Sequence, residues 1–390
     1  MDVDAVRGSP IGDLVAISGT DARTGEAYDH WAFVPKPLPR KVPLESDTWL
    51  VVVEAEAALA RLDQAGRQIP NSALLLRPAL RREAQSTSAL EGTFAPFEDV
   101  LESEIDERAE IPETLREVLN FVVAAEQGFD WIRERPFSVS FLAEIQRLLV
   151  RNTPSEHEDA GRIRTKQVVI GPRGSTVRDC RFVPPPPGVI LDSHVDSLIG
   201  WINDPPATMP RVVRAALAHY QVETLHPFSD GNGRIGRLLI VLQLLRDGSL
   251  REPLLVVSPW FEARRAEYQD GLLELSRSGN WDTWVRFFSR GVTAAADSTR
   301  VRVDELLRFA DDARETVRGA RISGVAERVA GELIGAPILT ARVIATQHDV
   351  THQGAIDALR RLVQAGLLRE RVRRGRSVFV CDRVVEILGS

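Results

Sequence analysis

The sequence predicts a mainly α-helical protein with one small β-hairpin in its middle and another near its C-terminus. Through most of the chain, apolar residues recur every three or four positions, as on the face formed by Trp49, Val52 and Ala55. Short β-branched or alternating runs bounded by turn residues are confined to two regions, near residues 165–183 and 367–381. We therefore expect helices to form the core and the hairpins to be appendages to it.

Length and composition indicate a soluble protein of two or three domains. The chain has 390 residues, of which 44% are hydrophobic and 27% charged, as is usual for a protein with a packed core. The formal net charge of −6 argues against a protein that coats nucleic acid or acidic membranes without specificity. It does not exclude one basic module within an acidic whole.

Two further features favour a cytoplasmic protein. The two cysteines, Cys180 and Cys381, lie far apart and have no metal-ligand spacing. No run approaches the ~18 apolar residues that a transmembrane helix needs, and the acidic N-terminus has no apolar segment typical of a secretory signal. We expect a reduced protein with no membrane partner.

Periodicity and turn residues predict the individual elements. Residues 1–45 contain five prolines and no sustained period, so we expect them to be irregular. The four prolines at 184–187 predict a rigid extended segment after the first hairpin. Ser138 or Ser140 is expected to cap a helix. Helices are predicted near residues 48–62, 80–90, 96–127, 137–151, 191–203, 209–223, 235–246, 260–276 and 281–299.

The last seventy residues predict a separate small module. Short helical patterns at 325–333, 340–347 and 351–365 precede two alternating strands at 367–371 and 377–381, which is the order of a winged helix-turn-helix. DNA binding, target recruitment and self-association all remain open, and the few polar residues at the start of the third helix favour the latter two. The predicted wing carries Arg369, Arg371, Arg373, Arg374 and Arg376.

One loop between two predicted helices, residues 225–237, concentrates reactive side chains. Pro227 disfavours helical backbone at His226 and so helps to end the first helix there. Gly231 and Gly233 permit a tight turn and a close approach of the backbone to a ligand. The N–H groups at the start of the second helix, near Asn232, then form an anion site.

The side chains of this loop suit the phosphates of a nucleotide. Arg234 and Arg237 are three residues apart on one face of the second helix, where two guanidinium groups match a polyphosphate. Asp230 offers a hard oxygen ligand for a Mg²⁺ ion that bridges phosphates. His226 is the residue of the loop that can take up a proton near neutral pH. A solvated glycine-rich loop would explain the glycines, but not the whole set.

This loop resembles the signature of the Fic family, HPFx[D/E]GNGRxxR, at every fixed position from His226 to Arg237. Members of the family have an all-α core and transfer a nucleotide monophosphate, usually AMP from ATP, to a protein hydroxyl group. The resemblance implies that His226 deprotonates a Ser, Thr or Tyr hydroxyl of the target and that Asp230 holds Mg²⁺ between the α- and β-phosphates. The intact second half of the motif favours AMP transfer over phosphorylation.

The same resemblance assigns the remaining phosphate contacts. The amides of residues 231–233 and the Asn232 side chain would hold the α- and β-phosphates. Arg234 and Arg237 would bind the β- and γ-phosphates and balance the charge of the leaving pyrophosphate. Phe228 would anchor the loop beneath the ATP.

Two other regions would complete the nucleotide and target sites. The hairpin at residues 167–183 resembles the family's flap, which pairs with an extended target segment by strand addition. Residues 164–171 and 182–187, at its two ends, match the family's sequence pattern. Ile170 and Gly171 of this flap would lie beside the ATP. Tyr268 stands where members often carry a pair of tyrosines near the adenine, although the second position is a glutamine here.

A second motif resembles the family's inhibitory motif, [S/T]xxxE[G/N], as Thr87, Glu91 and Gly92. A carboxylate at the end of a helix can pair with an arginine through two parallel hydrogen bonds. If Glu91 pairs with Arg237, that arginine cannot hold the γ-phosphate, and ATP binds non-productively. A solvated glutamate before a C-terminal glycine is the alternative explanation. A linked hypothesis is that Glu91 also positions a water for removal of AMP.

The sequence therefore predicts an autoinhibited protein adenylyltransferase with a Fic-type helical core, a β-hairpin flap and a C-terminal winged helix-turn-helix. The predicted domains are an N-terminal helical region at 1–110, the catalytic core at 111–305 and the winged module at 315–390. Its partners would be ATP, Mg²⁺ and a target protein with a Ser, Thr or Tyr hydroxyl, with self-modification and a homodimer also expected. DNA binding is not favoured. The alternative is a DNA-binding transcriptional regulator with an idle Fic core.

Overall fold

A computed structural model describes residues 1–21, 24–67, 73–102, 111–172, 174–373 and 376–389. Within these ranges the mainly helical prediction is confirmed. The elements are α1 (Val3–Val6), β1 (Gly12–Thr20), β2 (Ala27–Pro35), α2 (Ser46–Arg67), α3 (Ala73–Leu90), α4 (Phe97–Glu102), α5 (Glu113–Glu134), α6 (Val139–Val150), α7 (Val189–Asn203), α8 (Arg211–Leu225), α9 (Asn232–Arg246), α10 (Ser258–Ala263), α11 (Arg265–Ser278), α12 (Trp281–Gly319), α13 (Val325–Glu332), β3 (Ile338–Leu339), α14 (Ala341–His348), α15 (His352–Gln364), β4 (Arg369–Arg373), β5 (Arg376–Val380) and α16 (Asp382–Gly389).

Helix α9 lies at the centre of the helical core. Its residues from Asn232 to Leu244 are all buried, because it is apolar around most of its circumference and packs against α3, α5, α6 and α8. Helix α12 packs along α2 and also contacts α8. Ser138 caps α6 by accepting a hydrogen bond from the N–H of Phe141, as predicted. Within the described ranges, no helix combines the length and the apolar character needed to cross a membrane.

Helix α3 carries the predicted inhibitory motif and packs against α5, α9 and α10. It ends at Leu90, and Gly92 follows with a φ of 91°, a conformation that glycine adopts without steric cost. A buried carboxylate fixes the middle of the helix: Glu83 accepts a hydrogen bond from the Ser258 N–H at 2.9 Å and a second one from the Ser258 hydroxyl. These bonds hold α3 against the start of α10.

The prediction that residues 1–45 are irregular was wrong. Strands β1 and β2 form an antiparallel hairpin that pairs Gly12 with Pro35 and Thr20 with Ala27. The prolines that suggested irregular structure flank the hairpin or end its second strand. The hairpin is stabilised by a distant segment: the Phe33 N–H donates to the Val183 carbonyl at 2.9 Å.

The predicted flap is less regular than a two-stranded hairpin. One isolated antiparallel bridge joins Ile170 to Phe182, with turns between them. The Phe182 ring packs 5.6 Å from the ring of Phe33, centroid to centroid. The flap therefore shares a small apolar cluster with the N-terminal hairpin and does not depend on a long ladder of its own.

Several predicted helices differ from the structure. The helix predicted at 80–90 begins at Ala73 as α3, and the one predicted at 96–127 is interrupted, since residues 111 and 112 before α5 are not helical. The helix predicted at 260–276 is two helices, α10 and α11, which meet at Arg264. The helix predicted at 281–299 extends to Gly319 as α12, so the predicted boundary between the core and the last module falls inside a continuous helix. The boundary predicted at residue 110 lies outside the described residues.

The C-terminal module contains α13, β3, α14, α15, β4, β5 and α16, and its three strands are ordered β3-β5-β4. Strand β3 and helix α16 were not predicted. Arg369 and Arg371 of the wing both pair with Asp382, at 2.6 and 2.9 Å, which neutralises part of the predicted basic surface. Arg374 and the side chains of residues 373 and 376 lie outside the described part of the chain. The winged-helix assignment and its partner remain proposals.

Candidate active site

His226 ends α8 in a left-handed backbone conformation. Its φ is 48° and its ψ is 60°, which costs a residue with a side chain roughly 1–2 kcal/mol. The ring Nδ1 lies 3.2 Å from the Glu223 carbonyl. A proton on Nδ1 donates to that carbonyl and leaves Nε2 as the basic nitrogen. The loop therefore presents one oriented nitrogen at the end of the helix.

The surroundings of His226 keep its imidazole neutral at physiological pH. Burial and then the charge of Arg164 lower its pKa to about 4, although the carboxylates of Glu91 and Asp230 oppose this shift. Burial disfavours the charged form of a histidine because the imidazolium loses its hydration. A neutral imidazole is the form that can accept a proton.

The backbone turns sharply before α9, as the glycines predicted. Gly231 has a φ of 85° and precedes the first helical residue, Asn232. The Asn232 side chain differs from its predicted role: its Oδ1 accepts from the Phe228 N–H at 2.9 Å, and its Nδ2 donates to the Phe228 carbonyl at 2.8 Å. These bonds stabilise the loop and use both polar atoms of the Asn232 side chain. The backbone amides of residues 231–233 therefore remain as the groups that can bind a phosphate. Phe228 is fully buried and anchors the loop in the core.

Asp230 and Arg234 form an ion pair at the start of α9. Asp230 Oδ1 lies 2.8 Å from Arg234 Nη2, and Asp230 Oδ2 accepts from the Ser155 hydroxyl at 2.9 Å. Arg234 Nη1 also lies 3.6 Å from Glu117 Oε2. The side chain of Asp230 keeps 38% of its exposure, so an incoming ligand can reach it.

The donor set around Asp230 fits Mg²⁺ that is shared with a substrate. Among the described residues, no group of three or more histidine, cysteine or acidic side chains could hold a metal ion. Mg²⁺ is commonly bound through one or two carboxylates, several waters and the phosphates of a nucleotide, and does not require a cage of protein ligands. Asp230 supplies such a carboxylate beside the proposed phosphate site.

The structure joins Arg237 to both polar residues of the predicted inhibitory motif. Arg237 Nη2 lies 2.5 Å from Glu91 Oε1 and donates to the Thr87 carbonyl at 3.0 Å, while Nε donates to the Thr87 hydroxyl at 2.7 Å. The contact to Glu91 uses one carboxylate oxygen and is not the bidentate pair that the sequence suggested. A Cβ on Gly233 would collide with Glu91 Oε1, so this carboxylate touches the backbone at the start of α9.

The two members of this ion pair have different environments. The Arg237 side chain is 2% exposed, whereas that of Glu91 is 40% exposed. Burial works against both charges, but the attraction between them raises the pKa of Arg237 and lowers the pKa of Glu91. Solvent therefore reaches the Glu91 end of the ion pair, whereas the Arg237 end is enclosed by protein.

A buried polar cluster lies beneath the loop. The Tyr268 hydroxyl is 2.8 Å from His219 Nε2, and Tyr268 is 3% exposed. Burial raises the pKa of Glu223 to about 7, and one of its carboxylate oxygens contacts the backbone at Gly236. Tyr268 thus belongs to the core under α9, and its predicted contact with adenine stays a prediction. Sequence patterns had not singled out Glu223 or His219, because each lies on a largely buried helix.

The flap lies against the loop at residues 225–237 through Arg164. Its guanidinium donates to the carbonyl of His226 at 2.8 Å and to that of Pro185 at 2.6 Å. Ile170 forms the bridge in the flap, and Gly171 is packed against Ser175 and the backbone of Arg181. Direct contact of Ile170 and Gly171 with ATP stays a prediction.

Two regions of the chain match sequence models of a known family. Residues 49–130 match the sequence model of the Fic/DOC family N-terminal region, and residues 136–244 match that of the Fic/DOC family. Two consecutive regions of this chain are therefore similar to the two parts of the Fic/DOC family.

Named relatives and one solved structure are also similar to this chain. The protein adenylyltransferase fic-1 of Caenorhabditis elegans is 34% identical over 154 residues, which are 39% of this chain and 27% of that protein. The protein adenylyltransferase Fic of Aedes aegypti is 35% identical over 134 residues, 34% of this chain and 23% of that protein. The matched region thus spans about a quarter of these relatives.

The fold itself is shared with a bacterial protein. The crystal structure of a Fic family protein from Desulfovibrio desulfuricans G20 superposes with a TM-score of 0.57 at 18% identity, covering 87% of this chain and 97% of that one. This similarity extends beyond the two matched regions and shows a common fold.

Proposed function

We propose that this protein transfers AMP from ATP to a hydroxyl group of a target protein. The observation that carries the proposal is the convergence of a neutral, oriented His226 with the amides and arginines at the start of α9. The adenylyltransferase names of the relatives support the same activity. The Ser, Thr or Tyr hydroxyl, the target protein and self-modification belong to this proposal, as does location in the cytoplasm.

In the proposed reaction, the target oxygen attacks the α-phosphorus of ATP while His226 Nε2 accepts the hydroxyl proton. A bond forms between that oxygen and the α-phosphorus, and the bond to the β-phosphate oxygen breaks, releasing pyrophosphate. The amides of 231–233 bind phosphate oxygens, and Arg234 and Arg237 balance the charge that develops on the leaving group. Mg²⁺, held by Asp230, would neutralise charge shared between the α- and β-phosphates.

We also propose that the protein is autoinhibited in the conformation described. Arg237 donates hydrogen bonds to Thr87 and Glu91. In the proposed active state, the same N–H groups would donate to the γ-phosphate. Because α3 is fixed by Glu83 at Ser258, Glu91 is held in place by more than its own ion pair. Removal of AMP with a water positioned by Glu91 is an extension of this proposal.

A labelling experiment tests the proposed activity. Purified Glu91→Gly protein, incubated with Mg²⁺, cell lysate and ATP labelled at the α-phosphorus, should attach label to protein. ATP labelled at the γ-phosphorus should attach none above the background that lysate kinases give with the inactive Glu91→Gly/His226→Ala protein, because pyrophosphate leaves. Label transfer from the γ position above that background would instead identify a kinase, and transfer from neither position above background would refute the activity.

The dependence of AMP transfer on Mg²⁺ should require the carboxylate of Asp230. Asp230→Asn in the Glu91→Gly background is expected to reduce AMP transfer at least tenfold and to raise the Mg²⁺ concentration for half-maximal rate, because a neutral amide binds a hard cation more weakly. Asp192→Asn, at an exposed position on α7, is the matched control. An unchanged Mg²⁺ titration would remove Asp230 from the metal site.

The pH dependence should reflect the low pKa of His226. In the Glu91→Gly variant, kcat/KM for AMP transfer is expected to stay level from about pH 8 to about pH 5 and to fall only near or below pH 4, because the His226 pKa is about 4 with Glu91 present and Glu91 raises it. kcat/KM falls at low pH because protonation of His226 removes the base. A midpoint near 6.5, the ordinary value for histidine, would contradict the shift.

The structure gives less support to a regulator with an idle core. Two wing arginines are paired with Asp382, and the module packs against α4 through a small apolar cluster of its strands. We therefore propose that the three predicted regions act in one enzyme, with the C-terminal module recruiting a target or a second copy. A homodimer remains part of this proposal. A salt-sensitive DNA mobility shift by the full chain would favour the regulator instead.

A further inference from the structure

Arg164 links the flap to the catalytic loop through backbone carbonyls. It is 1% exposed. On the loop side, its Nε donates to the His226 carbonyl at 2.8 Å and its Nη2 to the Leu225 carbonyl at 3.5 Å. On the flap side, Nη1 donates to the Lys166 carbonyl at 3.0 Å and Nη2 to the Pro185 carbonyl at 2.6 Å. One guanidinium thus contacts both ends of the flap and the end of α8.

This arginine is unusual because no carboxylate among the described residues pairs with it. Buried charges are normally paired, since an unpaired ion loses its hydration without compensation. Burial lowers the pKa of Arg164 to about 10, which still leaves the guanidinium charged at neutral pH. Backbone carbonyl oxygens replace the hydration that the buried guanidinium has lost. Arg164 therefore stabilises a particular backbone geometry instead of forming an ion pair.

The bonds to the loop act where the backbone is least favourable. The last carbonyls of a helix have no partners within the helix, and a cation there is stabilised by the helix dipole. Arg164 donates to the carbonyls of Leu225, the last residue of the helix, and of His226, which has the left-handed backbone. The backbone N–H of Arg164 also donates to the Pro227 carbonyl at 3.0 Å. The guanidinium therefore helps to hold the conformation that orients the imidazole.

We propose that Arg164 is a positioning residue for AMP transfer, which fixes the flap and the His226 imidazole in one geometry so that the target hydroxyl meets the base. This inference rests on the proposed function. The flap would align the target segment, and the loop would align the base. Arg164 is the side chain that bonds to both.

The charge of Arg164 has a second effect on the same imidazole. The groups that act on His226 are the Arg164 guanidinium, which lowers its pKa, and the carboxylates of Glu91 and Asp230 and the carbonyl of Glu223, which raise it. Removing the guanidinium should therefore make His226 more basic. Replacing it with another cation should not.

Two substitutions separate position from charge, both in the Glu91→Gly background. Arg164→Lys keeps the positive charge, but a single ammonium cannot reach the carbonyls of both the flap and the loop. Arg164→Met removes the charge and all four bonds. Arg162→Met, an exposed arginine two residues away, is the matched control.

We expect kcat to fall roughly 10- to 100-fold in both variants, because a displacement of about 1 Å of reacting groups can cost that much. KM for ATP should change less than twofold, since the proposed phosphate contacts lie at the start of α9. The acid limb of the pH profile should stay in place in Arg164→Lys and move to higher pH in Arg164→Met. Amide exchange at Ile170 and Phe182 should accelerate in both.

Several results would overturn the proposal. These are a kcat within twofold of the control, a loss confined to KM for ATP, unchanged amide exchange in the flap, or failure of both variants to fold, which would make Arg164 purely structural. If the Glu91→Gly parent transfers no AMP, the proposed function fails. The exchange measurement still decides whether Arg164 joins the flap to the loop.

Discussion

Replacing Glu91 with glycine is expected to raise AMP transfer about 10- to 100-fold above that of the unchanged protein. The substitution removes the carboxylate that lies 2.5 Å from Arg237 and contacts the backbone of Gly233. Arg237 can then bind the γ-phosphate, and a hydrogen bond to a charged group contributes about 1.5–3 kcal/mol, which corresponds to this range of rates. The measurement is incorporation of label from α-labelled ATP at subsaturating concentration.

Graded substitutions make this expectation sharper. Glu91→Gln keeps the size of the side chain but loses its charge, so its rate should lie between those of the parent and of Glu91→Gly. Thr87→Val removes the hydroxyl that accepts a hydrogen bond from Arg237 Nε and leaves Glu91 in place, so it should activate only slightly. An unchanged rate in Glu91→Gly, with ATP binding intact, would show that this ion pair does not restrain the enzyme.

Glu91→Gly should also lower the thermal stability of the protein until ATP is added. Arg237 would stay buried without its main counter-charge, and breaking a buried ion pair costs about 3–5 kcal/mol when both groups are desolvated. The cost here should be smaller, because Glu91 is 40% exposed and Thr87 still bonds to the guanidinium. We expect Tm to fall by a few degrees and to recover with Mg²⁺ and ATP.

Replacing His226 with alanine should abolish AMP transfer while leaving nucleotide binding intact. A positioned general base contributes about 10²- to 10⁴-fold, so the Glu91→Gly background should lose at least two orders of magnitude in kcat. The dissociation constant for ATP should hardly change, because the proposed phosphate contacts lie at the start of α9 and do not include the His226 side chain. Single-turnover transfer and equilibrium binding measure the two quantities separately.

The control for this experiment is a histidine far from the loop. His352, exposed at the start of α15, has no role in the proposed chemistry, and His352→Ala should retain the parent rate. A His226→Ala enzyme within tenfold of its parent would place the base elsewhere. Loss of ATP binding together with activity would instead make His226 a residue that maintains the loop.

The parts of the site that could be predicted are those written in a contiguous stretch of sequence. The helix end at His226, the tight turn at Gly231 and the start of α9 follow from local backbone preferences, and the structure has all three. The Asn232 side chain could not be assigned in this way. Whether an amide faces a ligand or the backbone of Phe228 depends on the path of the folded loop.

The errors of prediction came from elements stabilised at a distance. The hairpin β1–β2 was missed because its inner residues are buried by the flap, some 150 positions later in the chain, and prolines at its borders suggested irregular structure. The flap was predicted as a regular hairpin, but a single bridge suffices when a neighbouring hairpin supports it. In both segments, tertiary packing decided what local propensity could not.

By itself, the sequence determined which groups the loop offers to the proposed chemistry: a histidine, a carboxylate, the amides at a helix start and two arginines within twelve residues. Only the tertiary structure decided which groups engage them. It brought Glu91 and Thr87 to Arg237, and Arg164 to the carbonyl of His226. The physical reason is that a local pattern fixes backbone conformation and spacing, whereas the partner of a buried charge is selected by packing between distant segments, where leaving it unpaired would cost the most.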